Sequence, residues 1–361
     1  MRLILALLVA LDHCVTTSYG PVIEARFWAT PIRPFLQALL PMFFALSGYL
    51  VAGSLERSKT LLMFIGLRII RIYPALFVEV LLSAFVLGPI MSAFSPRNYF
   101  LSGLFWRYLL NITGDIHFQL PGVFLLNPYP NLVNGQLWTI PYELLCYVTL
   151  STLAILWTRR WRLVSLTITV GVIVGYAIIH ALHHHGNFAE MQAALPGLFL
   201  VFSFLVGACI HLFRDRLPWD FRIFVAMVAI SLVGLNEGGL LVYIFVPFSL
   251  AYVTVYLGLT NPTRGGFLVG ADYSYGIFLY HFVVQQTVVH LIPAAQHWYV
   301  NAIVSIGLAT AFAAASWHFI EKPALGSRRH LVKLENYLVG ASSEKNPMGP
   351  YVGAVLRAVQ R

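Results

Sequence analysis

The first apolar stretch carries an arginine and a histidine at a spacing that places both on one side of a helix. Arg2 and His13 lie eleven residues apart, which leaves about 20° of rotation and roughly 16 Å of rise between them in an α-helix. A guanidinium there suits an anionic ligand at the membrane surface, and an imidazole near the bilayer centre suits proton transfer. Because ionisable residues are costly inside a bilayer, the pair predicts a membrane enzyme supplied from the cytosol.

Each residue of this first helix also has a structural interpretation. His13 fits either a general base or a buried histidine that is hydrogen-bonded to a neighbouring helix. Catalysis is favoured, because even the structural interpretation requires a partner for the ring inside the bilayer. Arg2 alone fits a side chain that anchors the helix at the interface. Asp12 lies about 100° around the helix from His13, so we expect it to orient an outward-facing group or to bind the acceptor.

Four further polar residues lie in or beside apolar segments. Arg68 and Arg71 are three residues apart and share a helical face, so they either bind phosphates or act as topology anchors. Glu143 follows Pro141 early in an apolar span, where it either pairs with a cation or sugar hydroxyls or forms a structural salt bridge. His281, within another span, fits acceptor binding and packing equally.

Metal and disulfide chemistry is not expected. The three histidines His183, His184 and His185 are consecutive, so they do not share one helical face, and a loop end explains them better than a metal site. Cysteines Cys14, Cys146 and Cys209 all fall within apolar spans without paired or metal-ligand spacing. The sequence also contains no glycine loop of the nucleotide-binding kinds.

Composition identifies an integral membrane protein. Hydrophobic residues make up 59% of the chain, charged residues 10%, and the mean hydropathy is +0.76, whereas soluble domains are about one quarter charged. The net charge of +9 does not indicate a nucleic-acid partner, because the basic residues are dispersed at the ends of the apolar spans.

The apolar pattern predicts an all-α, polytopic membrane protein with about ten transmembrane helices. The predicted spans are 3–19, 34–54, 72–95, 136–157, 163–182, 193–213, 223–236, 239–259, 274–292 and 298–320. In this topology 19 of the 23 Lys and Arg residues lie on one side, and the other side holds Arg26, Arg33, Arg97 and Arg107. The asymmetry predicts that both termini are cytoplasmic.

One membrane domain and a short tail are expected. We assign 1–325 to the transmembrane domain and 326–361 to a basic cytoplasmic tail. The first span lacks a small-residue cleavage site, so we expect it to be retained rather than removed as a secretory signal. Segment 96–135 contains an amphipathic stretch followed by Gly, Pro and Asn, which predicts a cap on the outer surface.

These segments together resemble the acyltransferase 3 family of membrane O-acyltransferases over about residues 2–325. Each motif is short, but their order and spacing make the combination specific. The resemblance rests on Arg2 with ten residues before His13, the stretch Phe43 to Leu50 that contains Ser47, the stretch Arg68 to Pro74, Gly135 to Trp138 with Glu143, Ser274-Tyr275-Gly276 with His281, and Trp317 with Glu321-Lys322-Pro323.

The resemblance implies a ten-helix fold, a cytosolic acyl-CoA donor, usually acetyl-CoA, and a saccharide or lipid-linked saccharide acceptor, with no metal. It implies a single-module enzyme of the bacterial inner membrane, similar to exopolysaccharide, nodulation-factor and O-antigen acetyltransferases. By the family pattern the site residues divide into three groups: Arg2, His13 and Glu143 for catalysis, Arg2, Arg68 and Arg71 for the donor, and Asp12, Ser47, Trp138, Tyr275 and His281 for the acceptor.

A mechanism follows as a hypothesis. The arginines neutralise the donor phosphates, and the pantetheine arm carries the thioester to His13 at mid-membrane. His13 then removes the proton of the acceptor hydroxyl or itself becomes acylated, and the sequence leaves both routes open. A transporter or flippase that moves a polar or saccharide solute through the same helices without covalent chemistry is the rival hypothesis. A structural membrane subunit is a third.

Overall fold

The computed structural model describes residues 1–58, 60–155, 161–183, 197–260 and 271–345. Within these ranges the regular secondary structure is helical, and the only β-type pairing is an isolated bridge between Ser92 and Val123. The predicted all-α class is therefore confirmed. The described α-helices are α1 (Arg2–Trp28), α2 (Arg33–Arg57), α3 (Leu61–Leu81), α4 (Gly88–Met91), α5 (Pro96–Leu101), α6 (Gly103–Leu109), α7 (Ile140–Ile155), α8 (Trp161–His183), α9 (Gly197–Phe213), α10 (Phe221–Glu237), α11 (Gly239–Leu259), α12 (Ser274–Leu291), α13 (Trp298–Ser316), α14 (Lys322–Gly326) and α15 (Arg328–Lys345).

Each predicted span overlaps one of these helices. By length and composition, five described segments are long and apolar enough to cross a membrane: Arg2–Trp28, Arg33–Arg57, Leu61–Met91, Val242–Leu259 and Trp298–Tyr337. Two shorter apolar helices lie at Leu163–Tyr176 and Gly197–Phe213. The number of helices that cross the bilayer and the side on which each terminus lies stay predictions.

The third predicted span is wrong at its start. The helix begins at Leu61 rather than at residue 72, so Arg68 and Arg71 lie inside it. The hydropathy pattern leaves residues 61–71 out of the predicted span, because Arg68 and Arg71 lower the hydropathy there. The helical conformation of residues 61–71 is nevertheless stabilised by packing, since Met63 and Phe64 are buried.

The chain divides into two compact units. The first unit comprises Met1–Leu39, Arg71–Pro141 and Pro262–Ala324. In this unit α12 packs on α13, and α1 packs against both. A kink at Gly20, whose φ is +75°, interrupts α1 just after the end of the predicted first span. A side chain is excluded there, because a Cβ atom would lie 2.2 Å from the Pro128 carbonyl oxygen.

Two short helices of the first unit lie in the predicted outer segment. Helices α5 and α6 bury Tyr99, Phe105 and Tyr108 and leave Leu101 and Trp106 exposed. The Tyr99 hydroxyl donates to the Ala84 carbonyl, in a π-helical turn over Leu82–Leu87 that follows α3.

The second unit comprises Leu40–Ile70, Tyr142–Asn261 and Leu325–Arg361. Helix α11 packs against α8, α9 and α10. Helices α2 and α9 cross closely through small residues: a Cβ on Gly48 would lie 1.9 Å from the Phe204 carbonyl oxygen, and one on Gly207 would lie 2.0 Å from the Ala45 carbonyl oxygen. Such crossings are typical of packed membrane helices.

Candidate active site

Helix α1 presents Arg2 and His13 to the same neighbouring segment of the first unit. Arg2 Nη1 lies 3.7 Å from Asp272 Oδ2, just before α12, and His13 Nδ1 lies 2.7 Å from His281 Nε2, within α12. One turn further, the Thr17 hydroxyl contacts the Gln285 side chain, so α1 and α12 run parallel. Both side chains face segment 272–281, so Arg2 and His13 lie on the same side of α1, as the sequence spacing predicts.

The arginine end of this interface is an ion cluster of Arg2, Arg71, Asp272 and Glu321. Arg71 donates to Asp272 Oδ2 at 2.7 Å and to Glu321 Oε2 at 3.4 Å through different nitrogens. The Arg2 and Asp272 side chains are 26% and 34% exposed, whereas the Glu321 side chain is 3% exposed. We call these four residues the ion cluster. Because Arg2 and Asp272 are its exposed members, solvent reaches the ion cluster through these two residues.

The charge of Asp272 is fixed by its neighbours. Burial alone would raise the pKa of this carboxyl, but Arg2, Arg71 and hydrogen bonds from Ser274 outweigh burial and lower the pKa from 3.8 to about 2. Asp272 is consequently a carboxylate throughout the physiological pH range and holds the two guanidiniums together.

The Tyr275 ring packs against the Arg71 guanidinium. The Arg71 guanidinium carbon lies 5.6 Å from the centroid of the Tyr275 ring, a cation–π distance. The Tyr275 hydroxyl donates to the Ile72 carbonyl at 3.0 Å. Tyr275, expected from the resemblance to bind the acceptor, thus lies beside a predicted donor residue.

The histidine end of the interface is a hydrogen-bonded pair of rings. His281 is fully buried, whereas His13 is partly exposed. The two rings are nearly parallel, at 6° with centroids 5.0 Å apart. Since 2.7 Å between nitrogens is too short for a face-to-face stack, the contact is edge to edge within the ring planes. No described residue hydrogen-bonds to Nε2 of His13.

The end of segment 96–135 packs beside the histidine pair. Phe282 places its ring edge-on to His13, with centroids 5.3 Å apart. A Cβ atom on Gly135 would lie 2.8 Å from Cζ of Phe282, so only glycine fits there without displacing the ring. The Gln136 amide donates to the Leu279 carbonyl at 2.6 Å. Trp138 lies in the same turn, Gly135–Thr139, and is partly exposed.

A buried carboxylate that the sequence analysis missed lies on α3. Glu79 is 1% exposed and accepts hydrogen bonds from the Ser83 hydroxyl and the Asn134 amide. The same amide lies 2.5 Å from the Tyr108 hydroxyl. This network ties the start of the Asn134-Gly135-Gln136 stretch to α3 and so fixes the segment that packs on Phe282.

Three of the predicted site residues belong to the second unit. Arg68 donates to the Ser54 hydroxyl at 3.1 Å, and its guanidinium carbon lies 5.8 Å from the centroid of the Tyr147 ring. Glu143, in the first turn of α7, accepts a hydrogen bond from the Tyr147 hydroxyl at 2.6 Å. Ser47 is buried in α2, next to the close crossing described above.

Asp12 lies in the first unit and is partly exposed. Its Oδ1 atom is buried and accepts no hydrogen bond from the described residues. Its orientation differs from that of His13, as expected for adjacent residues of a helix.

Two members of the ion cluster escaped the sequence analysis in different ways. Asp272 lies two residues before the Ser274-Tyr275-Gly276 motif and outside every predicted span, so its position alone does not mark it as a site residue. Glu321 belongs to the Trp317 to Pro323 motif, and its buried contact with Arg71 adds it to the ion cluster.

Within the described residues no group of three or more His, Cys, Asp or Glu side chains is arranged to hold a metal ion. Of the three consecutive histidines, His184 and His185 lie outside the described residues. The cysteines Cys14, Cys146 and Cys209 are buried and free.

Comparison with known proteins agrees with the resemblance. A family described as an acyltransferase domain matches residues 1–318. Nodulation protein 10 of Rhizobium leguminosarum bv. viciae is 27% identical over 316 residues, which cover 81% of this chain and 83% of that protein. An O-acetyl transferase of Shigella phage Sf6 is 26% identical over 339 residues, covering 89% and 93% of the two chains. No solved structure is significantly similar.

Proposed function

The chain belongs to this acyltransferase family, and from that premise we propose that it transfers an acyl group, usually acetyl, from cytosolic acyl-CoA to a saccharide hydroxyl. The similar phage protein is named an O-acetyl transferase, which supports an acetyl group and an oxygen acceptor. One observation carries the proposal: α1 directs Arg2 and His13 to the same side, onto segment 272–281. The charged head group of the donor would then contact Arg2, and its thioester would reach His13, along the same helix interface.

The ion cluster is the proposed docking point for the donor phosphates. Arg2 is its more exposed guanidinium, and Arg71 is held in place by two carboxylates. Guanidiniums bind phosphate through paired hydrogen bonds, and an arginine held in place loses less entropy on binding. The rise from Arg2 to His13, roughly 16 Å along α1, is to be spanned by the pantetheine arm. Arg68 is proposed as a donor contact on the family pattern alone.

His13 is the proposed base, because its Nε2 atom has no hydrogen-bond partner in the described part of the chain and the ring is partly exposed. In direct transfer, Nε2 takes the proton of the acceptor hydroxyl as its oxygen bonds to the thioester carbonyl carbon. The carbon–sulfur bond breaks, and the thiolate of CoA receives the proton from His13. In the stepwise route, Nε2 bonds to the acyl carbon as the carbon–sulfur bond breaks and CoA leaves as the thiolate. The acceptor oxygen then bonds to the acyl carbon, the carbon–nitrogen bond to His13 breaks, and the acceptor's proton passes to the thiolate.

The acceptor contacts are proposed from the remaining predicted residues. Asp12 has a carboxylate oxygen without a partner in the described ranges, which suits a sugar hydroxyl. Trp138 lies in the turn that packs on Phe282, beside His13. The family pattern alone supports Ser47 and Glu143 as acceptor contacts, whereas both ring nitrogens of His281 are already hydrogen-bonded within the described residues. The acceptor is an exported or cell-surface saccharide, and the proposed location is the bacterial inner membrane with residues 326–361 as a cytoplasmic tail.

The direct test uses purified protein in detergent with ¹⁴C-acetyl-CoA and a panel of bacterial O-antigen and exopolysaccharide fragments. We expect label on a saccharide and equimolar release of CoA, both reduced by at least about 100-fold in His13→Ala. His297→Ala, an exposed histidine at the start of α13, is the matched control and should keep full activity. Solute movement in liposomes without CoA release, unaffected by His13→Ala, would instead show a transporter.

Donor binding is tested separately. We expect Arg71→Ala and Arg68→Ala to raise the KM for acetyl-CoA, since each removes a charge-assisted contact to phosphate worth about 1.5–3 kcal/mol. Exposed Arg97→Ala is the control. Unchanged donor KM in a folded variant would remove that arginine from the donor site.

A further inference from the structure

His281 is hydrogen-bonded to His13, and its other hydrogen bonds determine which nitrogen of His13 carries a hydrogen. Nδ1 of His281 lies 2.9 Å from the Phe278 carbonyl oxygen and 3.1 Å from the Ile277 carbonyl oxygen. Carbonyl oxygens only accept hydrogen bonds, so Nδ1 of His281 must carry a hydrogen. In a neutral imidazole the other nitrogen, Nε2, is then an acceptor with a free lone pair.

The lone pair of His281 decides the tautomer of His13. Nε2 of His281 lies 2.7 Å from Nδ1 of His13. Two lone pairs at this distance would repel each other, so Nδ1 of His13 carries the hydrogen and donates it to His281. Neutral His13 therefore has its lone pair on Nε2, the nitrogen without a partner among the described residues.

The groups around the two rings favour this placement of the hydrogens over the reverse one. His281 is fully buried, and its donor side is satisfied by the carbonyls of its own helix, three and four residues earlier. Phe282 stands edge-on to the His13 ring and packs against it. A ring flip in either histidine would also break the bond between them.

We propose that His281 is a positioning residue, which holds His13 in its Nδ1–H tautomer so that Nε2 is the atom offered to the acceptor hydroxyl. This inference rests on the proposed function, in which His13 is the base. Hydrolases often use a buried carboxylate for this task. A neutral imidazole bonded to helix carbonyls does it without placing a charge in the bilayer, where a carboxylate is costly.

Two amide substitutions test the proposal, because they differ only in reach. In His281→Gln the amide extends to the position of Nε2 and can accept from His13. In His281→Asn it reaches only the position of Nδ1, where it can bond to the helix carbonyls but not to His13. We expect His281→Gln to keep kcat within about tenfold of the wild type and His281→Asn to lose at least about 100-fold, with the donor KM unchanged in both.

A spectroscopic measurement makes the test independent of turnover. In ¹⁵N-histidine-labelled protein in detergent micelles, the ring nitrogen shifts of His13, assigned by loss of its signals in His13→Ala, report which nitrogen carries the hydrogen. We expect Nδ1–H in the wild type and in His281→Gln, and a shift towards Nε2–H in His281→Asn.

The outcomes separate this inference from the proposed function. Equal activity of the Gln and Asn variants, or an Nε2–H tautomer of His13 in the wild type, would overturn the positioning role. A wild type that shows the Nδ1–H tautomer and transfers no acyl group would overturn the proposed function and leave the tautomer assignment standing. Elution of each variant as a single detergent-solubilised species establishes that it is folded.

Discussion

Replacing Asp272 with asparagine should destabilise the protein at neutral pH and change how its stability depends on acid. The substitution keeps the shape of the side chain but removes the charge that holds Arg2 and Arg71 together. The wild-type carboxyl has its pKa lowered from 3.8 to about 2. A group whose pKa is lower in the folded state stabilises that state above its ordinary pKa, and the stabilisation disappears as pH falls towards the folded value.

The magnitude follows from that difference in pKa. At about 1.4 kcal/mol for each pH unit, the difference between 3.8 and about 2 corresponds to about 2.5 kcal/mol. Because the Asp272 side chain is 34% exposed, solvent screening reduces the contribution to about 1–2 kcal/mol. For a chain of 361 residues this amounts to a few degrees in Tm.

The assay is thermal unfolding in detergent, followed by tryptophan fluorescence between pH 2.5 and pH 7 for Asp272→Asn, with Asp215→Asn as control. Asp215 is exposed. We expect the Asp272 variant to unfold a few degrees below the wild type at pH 7, and the two curves to converge as pH falls from 4 towards 2. An unchanged Tm at pH 7, or a constant difference across that window, would refute the role assigned to Asp272.

Two glycines give further predictions, with Gly171→Ala as the common control because a Cβ atom there meets nothing within 4 Å. Gly135→Ala would push a methyl group against the Phe282 ring and disturb the base, so we expect kcat to fall at least about tenfold with a small change in Tm. Gly48→Ala would meet the backbone carbonyl of Phe204, which cannot move aside, and should destabilise the protein by about 2 kcal/mol or more, seen as a lower Tm. A Gly135 variant with wild-type kcat, or a Gly48 variant with wild-type Tm, would contradict these assignments.

The helix positions were predictable to within a few residues in most spans, because long apolar runs leave the backbone few alternatives in a bilayer. The failure at α3 has a specific cause. Its first turns contain Arg68 and Arg71, which hydropathy counts against a span, whereas packing of Met63 and Phe64 and the partners of the arginines compensate for them.

The sequence by itself determined the class of the protein, its family and the shared face of Arg2 and His13, because these depend on composition and on the pitch of one helix. Only the tertiary structure showed that Asp272 joins Arg2 and Arg71, and that His281 bonds to His13. These contacts join residues about 200 to 270 positions apart in the chain. Sequence periodicity and local spacing do not reveal such contacts, since these depend on which helices pack against one another.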